Sequence, residues 1–87
     1  MPPLSAHSLY QSPYCPFCVK VRSALQAMQL KIEMVDTVRD PEARQALING
    51  GGRSMVPCLR IDHEDGSVEW MYESDDIIDY FRDNFAQ

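Results

Sequence analysis

The stretch Tyr14-Cys15-Pro16-Phe17-Cys18 joins a short apolar segment, His7 to Gln11, to a segment with helical periodicity that begins at Pro16. Cys15 falls at the expected N-cap, where its sulfur faces the unpaired N–H groups of the first turn. The positive end of a helix dipole stabilises a thiolate, which is the reactive form of cysteine. Cys18 follows one turn later on the same side, in reach of the Cys15 sulfur. Pro16 suits the first helical position, where its missing N–H costs nothing. The local chemistry is that of a dithiol redox centre, with Cys15 and Cys18 as its catalytic pair.

The chain has 87 residues and is expected to form a single domain over residues 1–87. A hydrophobic share of 45% argues against disorder. No apolar run approaches the ~20 residues of a membrane span. Met1 to Ser5 lack the charge and apolar core of a secretory signal, so a cytoplasmic protein that does not bind membranes is expected. Residues 1–61 hold seven Lys or Arg against four Asp or Glu, and residues 62–87 hold one against nine. The overall charge of −5 argues against a nucleic-acid partner. The basic excess around the CxxC pair favours a thiolate and a small anionic thiol. Nothing reads as a large apolar interface, so a monomer is expected.

Outward from the CxxC pair, apolar spacing predicts a helix over 16–30, with Phe17, Val21, Ala24, Leu25 and Met28 on one face. A strand follows over 31–36. Asp40-Pro41-Glu42 starts a second helix, which Asn49-Gly50-Gly51-Gly52 is expected to stop. Strands over 56–62 and 68–72 flank an Asp65-Gly66 hairpin turn. Ser74 is expected to cap a last helix with Ile77, Ile78, Phe81 and Phe85 inward. The order is βαβαββα, an α/β fold with a four-stranded mixed sheet flanked by helices. His7 and His63 read as strand-edge and turn residues, Cys58 as a small buried side chain, and Trp70 as core or edge packing. The acid-rich last helix reads as a solvated face. With one CxxC and no second ligand pair, no metal site is expected.

Cys15-Pro16-Phe17-Cys18, Arg53-Ser54-Met55-Val56-Pro57 and Glu73-Ser74-Asp75-Asp76, in this element order, resemble glutaredoxins of the dithiol CPFC type within the thioredoxin superfamily. The resemblance covers roughly Ser8 to Phe85. It implies a glutathione-dependent thiol–disulfide oxidoreductase that reduces glutathionylated proteins and protein disulfides. Glutathione would be the co-substrate, with no tightly bound cofactor. Cys15 would be the nucleophile and Cys18 the resolving thiol. Pro57 would be cis, and Val56 would pair with the cysteinyl unit of glutathione. Arg44, thirteen residues before Pro57, would bind the glycine carboxylate. Ser74 and Asp75 would hold the γ-glutamyl end, and Tyr14 would lie beside the reactive sulfur. A cluster shared between monomers, known in parts of this family, is disfavoured by Pro16.

Two positions depart from the glutaredoxin pattern. Ser12 stands where many members carry lysine, leaving Arg44 and Arg53 to compensate. Tyr72-Glu73-Ser74 stands where a glycine pair is usual. Glu73-Ser74 resembles instead the N-terminal domain of glutathione transferases, which binds the γ-glutamyl group at this helix start. With 87 residues no all-helical second domain is expected, which counts against a transferase. The alternatives are therefore a transferase-like N-terminal domain and a redox-sensing adaptor of thioredoxin fold.

Overall fold

A computed structural model of the chain describes residues 2–85. After a single 3-10 turn (Leu4–Ala6) come β1 (His7–Gln11), α1 (Pro16–Ala27), β2 (Glu33–Asp36), α2 (Pro41–Gly51), β3 (Cys58–Asp62), β4 (Val68–Tyr72) and α3 (Ser74–Asn84). The sheet order is β2-β1-β3-β4. β1 runs parallel to β2 and antiparallel to β3, and β3 pairs antiparallel with β4. No helix among the described residues is long and apolar enough to cross a membrane.

Strand alternation divides the core between the two faces of the sheet. Leu9, Leu59 and Ile61 join Val21 and Leu25 of α1 and Ile77, Ile78 and Phe81 of α3. On the other face Tyr10 and Cys58 meet Ala43 and Leu47 of α2. Each buried Leu, Ile or Phe contributes about 1.5–3 kcal/mol, so the α1–α3 face carries the larger share of stability. β1 is an inner strand, which corrects the strand-edge reading of His7. Its ring is 2% exposed. Nδ1 lies 2.9 Å from the Pro3 carbonyl oxygen and Nε2 lies 2.8 Å from the Tyr80 hydroxyl.

Most element starts follow their sequence signals. Asp40 caps α2 by accepting from the N–H groups of Glu42 (3.1 Å) and Ala43 (3.2 Å), with Pro41 in the first turn. Three ends differ from expectation. α1 stops at Ala27 rather than at residue 30, because Gln29 turns left-handed (φ 59°) and Leu30 N–H closes back on the Leu25 carbonyl (2.9 Å). β2 accordingly starts at Glu33, where pairing with Ser8 begins. β3 starts at Cys58, which pairs with Tyr72; Pro57 has no N–H to give a ladder.

The glycine run corrects the sequence reading in the other direction. α2 continues through Gly50 and Gly51 and ends only at Gly52, whose φ of 88° suits glycine. Gly50 and Gly51 are the places where α2 crosses the aromatic side chains of β4. A Cβ on Gly50 would overlap the Trp70 indole, and one on Gly51 would overlap the Tyr72 hydroxyl. Trp70 is itself held by an edge contact to Tyr10 (5.1 Å) and by Arg60 over its ring (5.5 Å).

Gly50→Ala gains about 1 kcal/mol of helix propensity but forces an overpacking cost of about 1–3 kcal/mol. A net loss of about 1 kcal/mol is expected, read as a lower urea midpoint at unchanged slope. A midpoint at or above wild type would show that Trp70 moves aside freely.

Candidate active site

β1 ends at the centre of the sheet and a four-residue turn passes the chain into α1. Cys15 N–H donates to the Ser12 carbonyl (3.3 Å), which closes that turn. Cys15 is the N-cap of α1 and Pro16 its first residue. Cys15 is partly exposed, whereas Cys18 is fully buried under the helix, and all three cysteines are free thiols.

The two thiols are driven in opposite directions. Burial acts to raise Cys15, but the N–H groups of Cys18 and Phe17, the Cys18 thiol and the Arg22 guanidinium outweigh it and hold Cys15 below the ordinary thiol value. Burial dominates at Cys18 and pushes it up to about 11, against the Ser12 N–H that donates to its sulfur at 3.4 Å. Cys58, on the opposite face, is raised by burial to about 12. The helix start therefore separates one readily ionised thiol from two that burial keeps protonated near neutral pH.

The positive charge at Cys15 is Arg22, a residue outside the apolar stripe of α1 that the sequence did not assign to the site. Arg22 donates to the Gln11 side-chain carbonyl and, at 3.4 Å, to the Ser12 carbonyl, so it is tied to the turn that carries Cys15. The signal was available: Arg22 lies four residues after Cys18, one turn along the same side. The expected compensation by Arg44 and Arg53 takes a different form. Arg44 is exposed on α2. Arg53 stacks over the Tyr72 ring at 4.3 Å.

A cleft of about 250 Å³ opens between α1, the Val56–Pro57 corner and the start of α3, and neither Cys15 nor Cys18 is among its lining residues. Of the residues named from the sequence, Val56, Pro57, Glu73, Ser74 and Asp75 line it, and Tyr14 and Arg44 do not. The Val56–Pro57 peptide is cis. The Val56 carbonyl oxygen lies 3.8 Å from Cys15 Sγ, which links the cleft to the reactive sulfur. Tyr14 is 81% exposed, next to Cys15 in the chain but projecting from the surface.

Ser74 does not cap α3. Glu73 occupies the N-cap with φ 75° and makes no side-chain cap bond, so Ser74 falls in the first helical turn and faces the cleft. The first residues of α3, Ser74 and Asp75, thus line the cleft together with Glu73. Lys20 of α1 forms an ion pair with Asp75 from the facing wall. Both side chains are largely exposed, so the pair contributes under about 1 kcal/mol and yields readily to a competing ligand.

The loop over residues 52–57 is held by Tyr72. Its hydroxyl accepts from Arg53 N–H (3.3 Å) and donates to the Arg53 carbonyl (2.9 Å), while the Arg53 guanidinium covers the ring. Lys20, Phe17, Met55 and Tyr72 also line the cleft and were not assigned from the sequence.

The alkylation rate of Cys15 should rise with pH through a midpoint below the ~8.5 of a free thiol. Because Arg22 favours the thiolate, Arg22→Gln should move that midpoint upward. A wild-type midpoint at 8.5 or above would contradict the account of Cys15, and an unmoved midpoint in the variant would remove Arg22 from it.

No curated protein matches the chain in sequence. Among solved structures it resembles a trimeric glutathione transferase of Leishmania, at 29% identity and a TM-score of 0.73 over 90% of this chain and 17% of that one. A glutathione S-transferase of Methylobacillus flagellatus, solved with glutathione bound, matches at 25% identity and a TM-score of 0.69 over 90% of this chain and 36% of that one. Wheat glutaredoxin shares the fold, at 21% identity and a TM-score of 0.67 over 93% of this chain and 74% of that one. The chain thus spans well under half the length of these transferases. The fold is thioredoxin-like, and with the family model of the glutathione S-transferase N-terminal domain matching residues 9–87, the chain belongs to that family.

Proposed function

We propose that this protein is a glutathione-dependent thiol–disulfide oxidoreductase of glutaredoxin type, acting on glutathionylated proteins and protein disulfides. The observation that carries the reading is the placement of the pair, with Cys15 partly exposed at the N-cap of α1 beside the cis Val56–Pro57 corner and Cys18 buried one turn later. Thiol–disulfide exchange needs an attacking sulfur that is ionised near neutral pH.

In the reaction, the Cys15 thiolate attacks the glutathione sulfur of a mixed disulfide. The old S–S bond breaks, the substrate sulfur leaves as a thiolate and takes a proton, and Cys15 carries glutathione. A second glutathione thiolate then attacks the bound glutathione sulfur, forming glutathione disulfide and freeing Cys15 as thiolate. Alternatively Cys18, losing its proton, attacks Cys15 Sγ and expels glutathione, leaving a Cys15–Cys18 disulfide that two further glutathiones reduce. Cys15 leaves readily because its thiolate is stabilised.

Glutathione fits the cleft by chemistry. The opening amides of α3, with Ser74, suit the γ-glutamyl carboxylate, and Asp75 suits its ammonium. Lys20, released from Asp75, is a further cation for that carboxylate. Val56 offers backbone groups to the cysteinyl unit in the manner of an added strand. Arg44 reaches the glycine end only if the ligand extends past the cleft towards α2. Tyr14 and Glu73 would frame the entrance. Residues 1–87 would act as one monomeric domain in the cytoplasm, where a reducing environment returns the pair to dithiol.

A second reading draws on the family match and on Glu73-Ser74 at the start of α3. It is a transferase-like domain that activates glutathione for attack on an electrophile. Such a domain has no use for Cys18.

The test is glutathione-driven reduction of a small glutathione mixed disulfide, coupled to glutathione reductase. Turnover is expected for wild type and for Cys18→Ser, and none for Cys15→Ser. Lys20→Gln should raise KM for the mixed disulfide by about fivefold, or ~1 kcal/mol of binding. A folded, reduced wild type without turnover would refute the oxidoreductase reading. Conjugating activity indifferent to Cys18→Ser would install the second.

A further inference from the structure

Beyond the cleft, a groove of about 540 Å³ opens between α1 and the outer strand β2. That volume lies in the range of small-molecule sites, about 300–1,000 Å³. Leu30, Ile32 and Met34 give it an apolar floor, and Met34 is 41% exposed. Ile32 and Met34 share a face by alternation, which turns Glu33 to the other side of the strand. Arg22 and Lys31 are the charged residues of the lining, both cationic. Among the described residues no carboxylate lies within ion-pair distance of either. An apolar floor under two cations without counter-ions complements an amphipathic anion. The amides of Gln26 and Gln29 complete the lining and can donate to the same anion, whereas a cation would meet two like charges.

Arg22 belongs to both this groove and the Cys15 turn. Its bonds to the Gln11 side chain and the Ser12 carbonyl use part of a guanidinium that has five N–H donors, so donors remain for an anion. Ser12 in turn gives its N–H to Cys18 Sγ. Arg22 thus contacts Gln11 and Ser12 from β1 and its turn, and its charge reaches Cys15 at the N-cap and Cys18 in α1.

We propose that the groove binds a free aliphatic monocarboxylate, with its tail on Leu30, Ile32 and Met34 and its carboxylate between Arg22 and Lys31, and that Cys15 senses the occupant through Arg22. The direction follows from charge. Arg22 favours the Cys15 thiolate. A carboxylate on the guanidinium offsets that charge, so the thiolate fraction near neutral pH falls and Cys15 reacts more slowly. This coupling does not depend on what Cys15 does to a substrate, so it stands or falls separately from the oxidoreductase reading.

Decanoate is the probe, with acetate (charge without tail) and decanol (tail without charge) beside it. In amide NMR of the full reduced chain, decanoate should shift Leu30, Lys31 and Ile32 saturably, with a Kd below about 1 mM. Acetate and decanol should each bind at least about tenfold more weakly. Lys31→Glu, which reverses the charge, and Met34→Asp, which breaks the apolar floor, should each weaken decanoate by about tenfold, and two variants guard against one failing to fold. Iodoacetamide reads the coupling at pH 7, since Cys18 and Cys58 are buried. Saturating decanoate should slow Cys15 alkylation about twofold or more in wild type and leave Met34→Asp unaffected. Non-saturable shifts, or binding equal in both variants, would overturn the site. Saturable binding with unchanged alkylation would overturn the coupling to Cys15.

Discussion

The reactive end of this molecule depends on the seating of Cys15 at the N-cap of α1, where the unpaired N–H groups that open the helix favour a negative sulfur without a formed cap hydrogen bond. A sulfur brought partly out of water loses stability as a thiolate, and here the N–H groups of Cys18 and Phe17, with the Cys18 thiol and Arg22, together more than offset that loss. Those amides are free to do so because a helix start has no partners for them. Their aim is set by β1, an inner strand anchored on both sides, which ends at Gln11 and leaves four residues to reach the helix. Arg22 then fastens the turn from outside. A small shift of β1 or α1 would separate the sulfur from its donors.

Three cysteines in one small chain show how far environment outweighs residue type. Cys15 is lowered, Cys18 is raised to about 11 and Cys58 to about 12. Desolvation acts upward at all three. An arginine acts downward at each as well, so what differs is the depth of burial and the supply of N–H donors: two amides at Cys15, one at Cys18 where the neighbouring Cys15 also acts upward, and weaker opposing contributions from Tyr72, Arg53 and Met71 at Cys58. Cys58 also lies on the opposite face, where strand alternation puts it with Tyr10 rather than with Leu59 and Ile61. Its burial among α2 side chains explains why a thiol so near Pro57 in sequence stays apart from the pair.

The element order, the inward faces of α1 and α3 and the position of Cys15 at a helix N-cap were legible because each rests on local rules of periodicity, capping and turn chemistry. The errors have one physical origin, which is that tertiary contacts decide what local signals leave open. Three consecutive glycines look like a helix stop, yet two of them are helical because Trp70 and Tyr72 need the space. Gln29 ends α1 in a left-handed conformation that nothing in its type announces. Ser74 carries the signature of a cap, but the positive φ of Glu73 moves the helix start forward by one residue and sends the serine into the cleft. His7 looks peripheral until the sheet order makes its strand central. Lys20 and Arg22 were the hardest to assign, since an exposed-face cation on an amphipathic helix is ordinary until its partners in other elements are known.

The far wall of the cleft is built by a different route from the near one. Cys15 is positioned by a helix and strand within the sheet, but Met55 and Val56 come from a loop with no ladder of its own. That loop is fixed by one side chain, Tyr72, which takes and gives a hydrogen bond at Arg53 and carries the Arg53 guanidinium on its ring. Tyr72 finds room for its hydroxyl only because Gly51 has no Cβ. The same β4 residue pairs in register with Cys58, directly after Pro57. The glycines of α2, the last residue of β4 and the Val56–Pro57 corner therefore form one mechanical unit. Its effect is to place the Val56 carbonyl beside Cys15 Sγ, so the α2 face of the sheet sets the width of a cleft whose chemistry belongs to the α1 face.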